Sequence, residues 1–426
     1  MRALVVGAGR MGVAAAFDLL RDTEVTEVGL VGRTAATLAA AEQRLGRERL
    51  RTHALAVEDP RLRAVMERYD VGILALPDRR SSYAALDVAI AAGLSAVDIL
   101  EEYHRRPDRT ETEGLVVPPG LSLAEYGEDL HRRAQARGVT LLDGMGFAPG
   151  LSNVFVGAAL RTLDAAEGAT ARVGGIPDQA TAARHPLGYL VTWAFSHVLR
   201  EYEVKVAVKR GGQIQLVDAR SERESFVFRD GVRSEPMECA ITPGMPSFLY
   251  TRPELGAFCE KTIRWPGHYA AIDVLDRCGL LSTDEVETAM GRLVPREVLA
   301  ALLEPRLRPR PGDRDVCVMW NTITGRRGTG HVCIEQALWA EPDEQDAPGF
   351  SAMARVTGFP AAIAARLLAR GLIQGGPGLV APEDGVGGAA FVELVSELAR
   401  RGLTVRETVR ETARETARET VRAADG

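Results

Sequence analysis

The N-terminal run Arg2-Ala3-Leu4-Val5-Val6-Gly7-Ala8-Gly9-Arg10-Met11-Gly12 constrains this chain more than any other stretch. An apolar segment of strand length enters it, and an Ala-rich pattern of helical period leaves it through residues 13–20. Between them, Gly7-x-Gly9-x-x-Gly12 predicts a dinucleotide turn. Gly7 allows the tight strand-to-helix bend, Gly9 lets the backbone approach a diphosphate, and Gly12 lets the helix pack close on the strand. The free N–H groups that open the helix, at Arg10 and Met11, then face the phosphates together with the positive end of the helix dipole. Glycine makes up 43 of 426 residues, so the spacing alone is weak. Its position between strand and helix separates it from a plain tight turn.

A chain of 426 residues exceeds one hydrophobic core, so two or three domains are expected. Hydrophobic content of 46% with 26% charged residues is that of an ordinary soluble globular protein. No apolar run is read as long enough to span a membrane, and the N-terminus reads as a core strand without a signal sequence, which gives a cytoplasmic expectation. The five cysteines are odd in number and form no CxxC pair, so buried reduced thiols are expected in place of a disulfide framework or zinc ribbon. A net charge of −6 without a basic stripe argues against nucleic acid as a partner. His185, His197 and His331 show no metal-ligand spacing, and no metal is expected.

Strand and helix alternate from residue 2 to about 142, which predicts a doubly wound parallel sheet in a domain of residues 1–150. The second strand ends in Val31-Gly32-Arg33-Thr34. Gly32 stands where a NAD site carries an acid, and Arg33 with Thr34 suits a 2′-phosphate, so NADP is favoured and NAD remains open. Ligands in such sheets lie beyond the carboxyl ends of the strands. That places Asp59, Leu76, Pro77, Asp98 and Glu101 near the cofactor or the reacting atoms; Glu101 with Glu102 reads equally well as a solvated loop pair. Residues 104–122 read as an insertion or flap. Residues 151–349 read as an α+β substrate and dimerisation domain with one open antiparallel sheet. Residues 350–402 return as helices to complete the first domain. The period-four Arg-Glu-Thr repeat over 403–426 reads as a frayed or disordered tail, because four does not match the helical period of 3.6.

These motifs, in this order, resemble the saccharopine dehydrogenase-like oxidoreductases, which include lysine 6-dehydrogenases and saccharopine reductases. The likeness is carried by the Gly7–Gly12 turn, Val31-Gly32-Arg33-Thr34, and Asp143-Gly144-Met145-Gly146 with Ala148-Pro149-Gly150. It continues through Val173-Gly174-Gly175-Ile176-Pro177, His185-Pro186-Leu187-Gly188-Tyr189 with Trp193, and Glu260-Lys261-Thr262-Ile263-Arg264-Trp265-Pro266-Gly267-His268. Ser351-Ala352-Met353-Ala354-Arg355-Val356-Thr357 resembles the segment that packs back on the nucleotide domain. The resemblance implies NAD(P)-dependent chemistry on a carbon–nitrogen bond of an amino acid, a small-molecule substrate, and a homodimer. Val173 stands where saccharopine reductases usually carry cysteine.

Such chemistry asks the protein to orient the cofactor, bind a carboxylate and manage one proton. If Lys261–Arg264 is extended, residues 261 and 263 share one face and 262 and 264 the other. Arg264 is assigned to the substrate carboxylate, with a structural ion pair as the alternative. Lys261 is one of three lysines in an arginine-rich chain, which marks either a required point charge or a surviving surface residue. His268 is either the proton-transfer group or a structural histidine. Asp143 either meets a substrate ammonium or caps a turn. Tyr189 and Trp193, at helical spacing, form core or pocket wall with Gly175 nearby. A redox-silent sensor or lyase that holds the nucleotide only structurally is the alternative function.

Overall fold

The computed structural model describes residues 1–110, 114–192, 195–289 and 291–412. The N-terminal half alternates β1 (Arg2–Val6), α1 (Arg10–Arg21), β2 (Glu27–Gly32), α2 (Ala35–Leu45), β3 (Leu50–Ala54), α3 (Arg61–Met66), β4 (Val71–Leu74), α4 (Arg79–Ala92), β5 (Ala96–Asp98), α5 (Leu123–Arg137) and β6 (Thr140–Leu142). A further helix, α6 (Leu151–Leu160), leads into β7 (Ala165–Pro177), α7 (Gln179–Ala182) and α8 (Phe195–Glu201). Strands β8 (Lys205–Arg210), β9 (Gln213–Asp218), β10 (Glu224–Arg229) and β11 (Ser234–Ile241) follow, then α9 (Phe248–Thr251), β12 (Ala257–Arg264) and α10 (His268–Arg277). A small hairpin, β13 (Val286–Thr288) and β14 (Gly291–Leu293), precedes α11 (Pro295–Leu307), β15 (Asp315–Arg327) and β16 (Gly330–Ala340). The chain closes with α12 (Ala352–Ala369), β17 (Gly378–Val380), α13 (Pro382–Gly385), α14 (Gly388–Arg400) and β18 (Arg406–Thr412).

The first sheet runs β17-β6-β5-β4-β1-β2-β3, with every pair parallel. Alternation along its strands fills two layers. Ala3, Val5, Val28, Leu30 and Ile73 face α1 and α12, while Leu4, Val6, Val31 and Leu74 face α3, α4 and α5. This is the expected doubly wound arrangement, and β17 shows that the C-terminal return supplies a strand as well as helices. Ser351 caps α12 by accepting from the Ala354 N–H at 3.1 Å, and the Asp315 carboxylate on β15 accepts from Ala352 and Met353 N–H at 2.8 and 2.9 Å. One strand of the second sheet therefore fixes the start of the helix that covers the first.

The second sheet runs β10-β11-β12-β7-β15-β16-β18, with β8 pairing β12 and β9. It is mixed, not antiparallel throughout, because β7 and β12 pair in parallel. The connection over residues 178–256 is long enough for that crossover. The Lys205–Arg210 and Gln213–Asp218 hairpin forms at the Gly211-Gly212 turn.

Three further sequence expectations are corrected. The repeat is ordered as a strand over Arg406–Thr412, paired antiparallel to β16. A period of four is also twice the strand period, so Arg406, Thr408 and Arg410 take one face and Glu407, Val409 and Glu411 the other. Residues 413–426 lie outside the described residues. The first residue of the supposed flap is core: His104 is buried, as is Glu102 just before it, paired with Arg79 at 2.8 Å, while Arg105, Arg106 and Asp108 are half-buried and Arg109 is exposed. Internal ion pairing satisfies charges that composition alone assigns to solvent. Finally, Ala352–Ala369 is 18 residues long with mean hydropathy 1.2, enough to cross a membrane by length and composition, yet 78% of it is buried inside the protein, as in a core helix. The five cysteines are unpaired; Cys278 is exposed and Cys239, Cys259 and Cys317 are buried.

The C-terminal return is tied down electrostatically. Arg401 grips the fully buried Asp18 carboxylate of α1 through Nε at 2.5 Å and Nη2 at 2.9 Å, and Glu397 accepts from both Arg401 and Arg366. Replacing Arg401 strands a buried acid. Arg401→Ala is expected to lower the unfolding free energy by about 3–5 kcal/mol in a urea titration. A loss of only about 1 kcal/mol, as for an exposed pair, would contradict this role.

Candidate functional site

A cleft of about 1020 Å³ runs from the N-terminal glycine turn to the middle of the second sheet. At the nucleotide end, Gly7, Gly9, Arg10 and Met11 line it. A Cβ on Gly7 would lie 2.1 Å from the Ala75 carbonyl oxygen, and one on Gly12 would lie 1.8 Å from that of Gly7. The outer glycines are therefore fixed by backbone packing. Gly9 has open space around its Cα, as an approaching diphosphate requires. The first turn of α1 has no side-chain cap and no acid, which leaves its N–H groups for an anion. The Arg10 guanidinium bridges the two halves of the chain by donating to the Val191 carbonyl at 3.1 Å.

Gly32, Arg33, Thr34 and Thr37 line the same end. Arg33 is exposed and forms no ion pair among the described residues. Thr34 caps α2 and its hydroxyl lies 2.7 Å from that of Thr37. Leu76, Pro77 and Glu101 line the next section, beyond the carboxyl ends of β4 and β5. Asp59 and Asp98 do not line the cleft. Asp59, just before α3, accepts from the Arg61 N–H at 2.9 Å and is held by its guanidinium at 2.7 Å, which lowers its carboxyl to about 2; Glu58 lines the cleft in its place. Asp98 is buried beneath the cleft, accepting from Leu100 N–H at 2.7 Å and Ser82 Oγ at 2.8 Å, and burial raises it to about 6.

At the substrate end, strand alternation decides which side chains enter. Glu260, Thr262 and Arg264 on β12 all line the cleft, while Lys261 and Ile263 point to the other face. Lys261 ion-pairs with Glu224 at 2.6 Å on that far side and is not a cleft residue. Arg264 is buried, stacks over the Tyr189 ring at 5.1 Å, and donates from Nε to Tyr202 Oη and from Nη1 to the Ile263 carbonyl. Its Nη2 finds no protein acceptor among the described residues. Gly175 also lines the cleft; Tyr189 supports Arg264 from behind. Trp193 lies outside the described residues.

Neither His268, read as proton-transfer group or structural histidine, nor Asp143, read as ammonium partner or turn cap, lines the cleft. His268 is buried behind Arg264, with Nδ1 3.0 Å from the Leu187 carbonyl and Nε2 2.9 Å from Tyr202 Oη. Burial, followed by the adjacent Arg264 charge, pushes it down to about 3, so it is neutral. Its Nδ1–H donates to Leu187, its Nε2 accepts from Tyr202, and Tyr202 accepts from Arg264: His268 positions the arginine. Asp143 is also buried, accepting from the His104 backbone N–H at 2.7 Å and lying 2.5 Å from His104 Nδ1. Burial opposes the charge on His104, but Asp143, Asp98 and Glu102 outweigh it and raise this histidine to about 9. Asp98, His104 and Asp143 form one group with ligand atoms within 4.8 Å. It packs under the cleft floor.

Two acids and a histidine were not marked by any motif. Glu201, His197 and Glu260 line the cleft with Glu101. His197 Nε2 lies 3.3 Å from Glu201 and 3.9 Å from Glu101, and these three offer ligand atoms within 4.8 Å of one another. The signal existed in two places. His197 and Glu201 are spaced i,i+4 on one helix, and Glu260 falls four residues before Arg264 on the same strand face. Histidine spacing alone did not show the first, because Glu101 comes from a loop a hundred residues earlier.

Comparison with known proteins follows the same division of the chain. Residues 3–142 match the model described as saccharopine dehydrogenase NADP binding domain, and residues 146–403 match saccharopine dehydrogenase C-terminal domain. A structure of apo saccharopine dehydrogenase (L-Glu forming) from Saccharomyces cerevisiae has a TM-score of 0.74 at 19% identity, over 96% of this chain and 99% of that one. That likeness shows a shared fold. The mitochondrial alpha-aminoadipic semialdehyde synthase of Bos taurus is 32% identical over 119 residues, 27% of this chain and 12% of the relative. The Arabidopsis thaliana alpha-aminoadipic semialdehyde synthase is 26% identical over 179 residues, 38% of this chain and 16% of the relative. The chain thus spans less than a fifth of the length of these curated relatives. With matched models covering both halves in order, the chain belongs to the saccharopine dehydrogenase family, whose members are NAD(P)-dependent oxidoreductases acting on CH–NH groups.

Proposed function

We propose that this protein is an NADP(H)-dependent oxidoreductase acting on a carbon–nitrogen bond of an amino acid, by amine oxidation or imine reduction on lysine, a related diamino acid or an opine. One observation carries the reading: the glycine turn and Arg264 line a single continuous cleft. The residues present fit the cofactor. The open backbone at Gly9 and the uncapped start of α1 suit a diphosphate, and exposed Arg33 beside the start of α2 suits a 2′-phosphate. When bound, the nicotinamide supplies or accepts the hydride.

The chain's own residues supply orientation and charge. Arg264, held by Tyr202 and Tyr189 in a buried setting, offers Nη2 to a substrate carboxylate without first reorganising. Glu101 and Glu201 lie in the same cleft and suit the amine-bearing part of the substrate. This places an amino acid lengthwise, its carboxylate at one end of the cleft-facing side of β12 and its nitrogen at the other.

Two substitutions test the reading. Arg33→Asp is expected to weaken NADPH binding by at least about tenfold, the loss of one charge-assisted contact, with NADH binding little changed. Fluorescence titration of both nucleotides measures it, and equal losses for the two would contradict the assignment. Arg264→Ala is expected to raise KM for the amino acid by roughly 10- to 100-fold, with the NADPH dissociation constant unchanged. Steady-state kinetics with a panel of amino acids and imines measures it, and an unchanged KM would remove Arg264 from the substrate site.

A further inference from the structure

We propose that Glu260 is the group that gives and takes the proton of the carbon–nitrogen reaction, exchanging it with solvent through a small side cavity. The proposal rests on the reading of the cleft given above and assigns a catalytic role to a carboxyl that no motif marks.

Three features single out Glu260. It is only 6% exposed yet lines the cleft, and its Oε2 is buried without a hydrogen-bond partner. Buried carboxyls in folded proteins are normally paired or fully hydrogen-bonded. The backbone opposite is shaped around it: a Cβ on Gly244 would lie 1.3 Å from that same Oε2. A Cβ at residue 244 would push the carboxyl out of this position. Third, Glu260 and Glu101 line a second cavity of about 40 Å³ as well as the cleft. That volume admits water. Its other walls include Asp108, Arg106 and the half-exposed Tyr250, so it leads outward.

The surroundings keep the proton on. Glu201 faces Glu260 from α8, and Glu101 and Glu102 lie on the loop after β5. Glu102 is occupied by Arg79, Arg106 by Glu128, and Arg264 lies four residues along the strand. No cation forms an ion pair with Glu260 among the described residues. Burial, reinforced by Glu201, pushes the carboxyl well above the usual carboxylate range. A neutral acid held beside the reacting nitrogen is ready for the reductive direction.

In that direction the Glu260 carboxyl protonates the imine nitrogen and is left as a carboxylate beside the iminium. The imine carbon then accepts the hydride with its electron pair, and the carbon–nitrogen π pair moves onto nitrogen as the amine lone pair. Glu260 regains a proton from water in the side cavity. Net, one imine, one hydride from NADPH and one solvent proton give one amine and NADP+. Oxidation runs through the same groups in reverse.

The test combines kinetics with a readout on the cofactor-free protein. Infrared difference spectra at neutral pH are expected to show a protonated carboxyl band in the wild type that Glu260→Gln lacks. Glu260→Gln is expected to lower kcat by about 100-fold or more, with NADPH affinity unchanged by fluorescence titration. Wild-type reductive kcat/KM is expected to fall as pH rises through the raised Glu260 pKa, and this limb should vanish in Glu260→Gln. Glu260→Asp, which keeps the acid one methylene short, should retain the limb at reduced kcat, and it serves if the glutamine variant fails to fold. A Glu260→Gln enzyme with the wild-type rate and pH profile, or a wild-type protein lacking the protonated band, overturns the proposal alone. A wild-type protein that binds NADPH but turns over no imine or amine overturns the reading of the cleft, and this role with it.

Discussion

Everything in the molecule depends on how closely the backbone packs at the turn after β1. The Gly7 Cα sits against the Ala75 carbonyl and the Gly12 Cα against the Gly7 carbonyl, so α1 lies almost in contact with the strand that feeds it. The same closeness recurs on the outer side of α1, where a Cβ on Gly358 would lie 2.8 Å from Ala14 Cβ and 2.9 Å from the Met11 carbonyl. Helix α12 can therefore dock directly on α1, and with it comes the C-terminal return. Because β15 caps α12 through Asp315, the second sheet is held at a set distance from the nucleotide turn. A cleft between two sheets needs such a brace to keep reacting groups in register.

Within the cleft, polarity is sorted along one strand. Arg264 and Glu260 are four residues apart on β12, a span of roughly 13 Å at strand rise. The arginine is stiffened by a chain of hydrogen bonds from the Leu187 carbonyl through His268 and Tyr202. The glutamic acid has no such support, and burial, reinforced by Glu201, raises its carboxyl well above the usual range. One end of the strand face carries a fixed positive charge and the other, in the role proposed for Glu260, a proton. A zwitterionic substrate with a reacting nitrogen meets both without either group having to move.

The sequence was most legible where local pattern and long-range role coincide. The Gly7–Gly12 turn, the alternating strands of the first sheet and the returning helix after Ser351 were all visible, because period and turn chemistry are local signals. Alternation on β12 separated Arg264, which lines the cleft, from Lys261, and the same alternation extended two steps back reaches Glu260. His268 and Asp143 misled for a physical reason: both sit where chemistry is expected, but burial ties them to Tyr202 and His104. Ion pairs such as Arg79–Glu102 hide core segments inside charged composition, and no single-sequence pattern reveals which charges meet. The repeat over residues 406–412 shows the converse, a pattern of period four that serves a strand once β16 offers an edge.

The most direct measurement is a crystal structure with NADP+ bound. The account predicts the diphosphate on the N–H groups at the start of α1, the 2′-phosphate against Arg33, and the nicotinamide ring turned toward the Glu260–Arg264 face of β12. A dinucleotide seated elsewhere, or a ring turned away from that face, would contradict it.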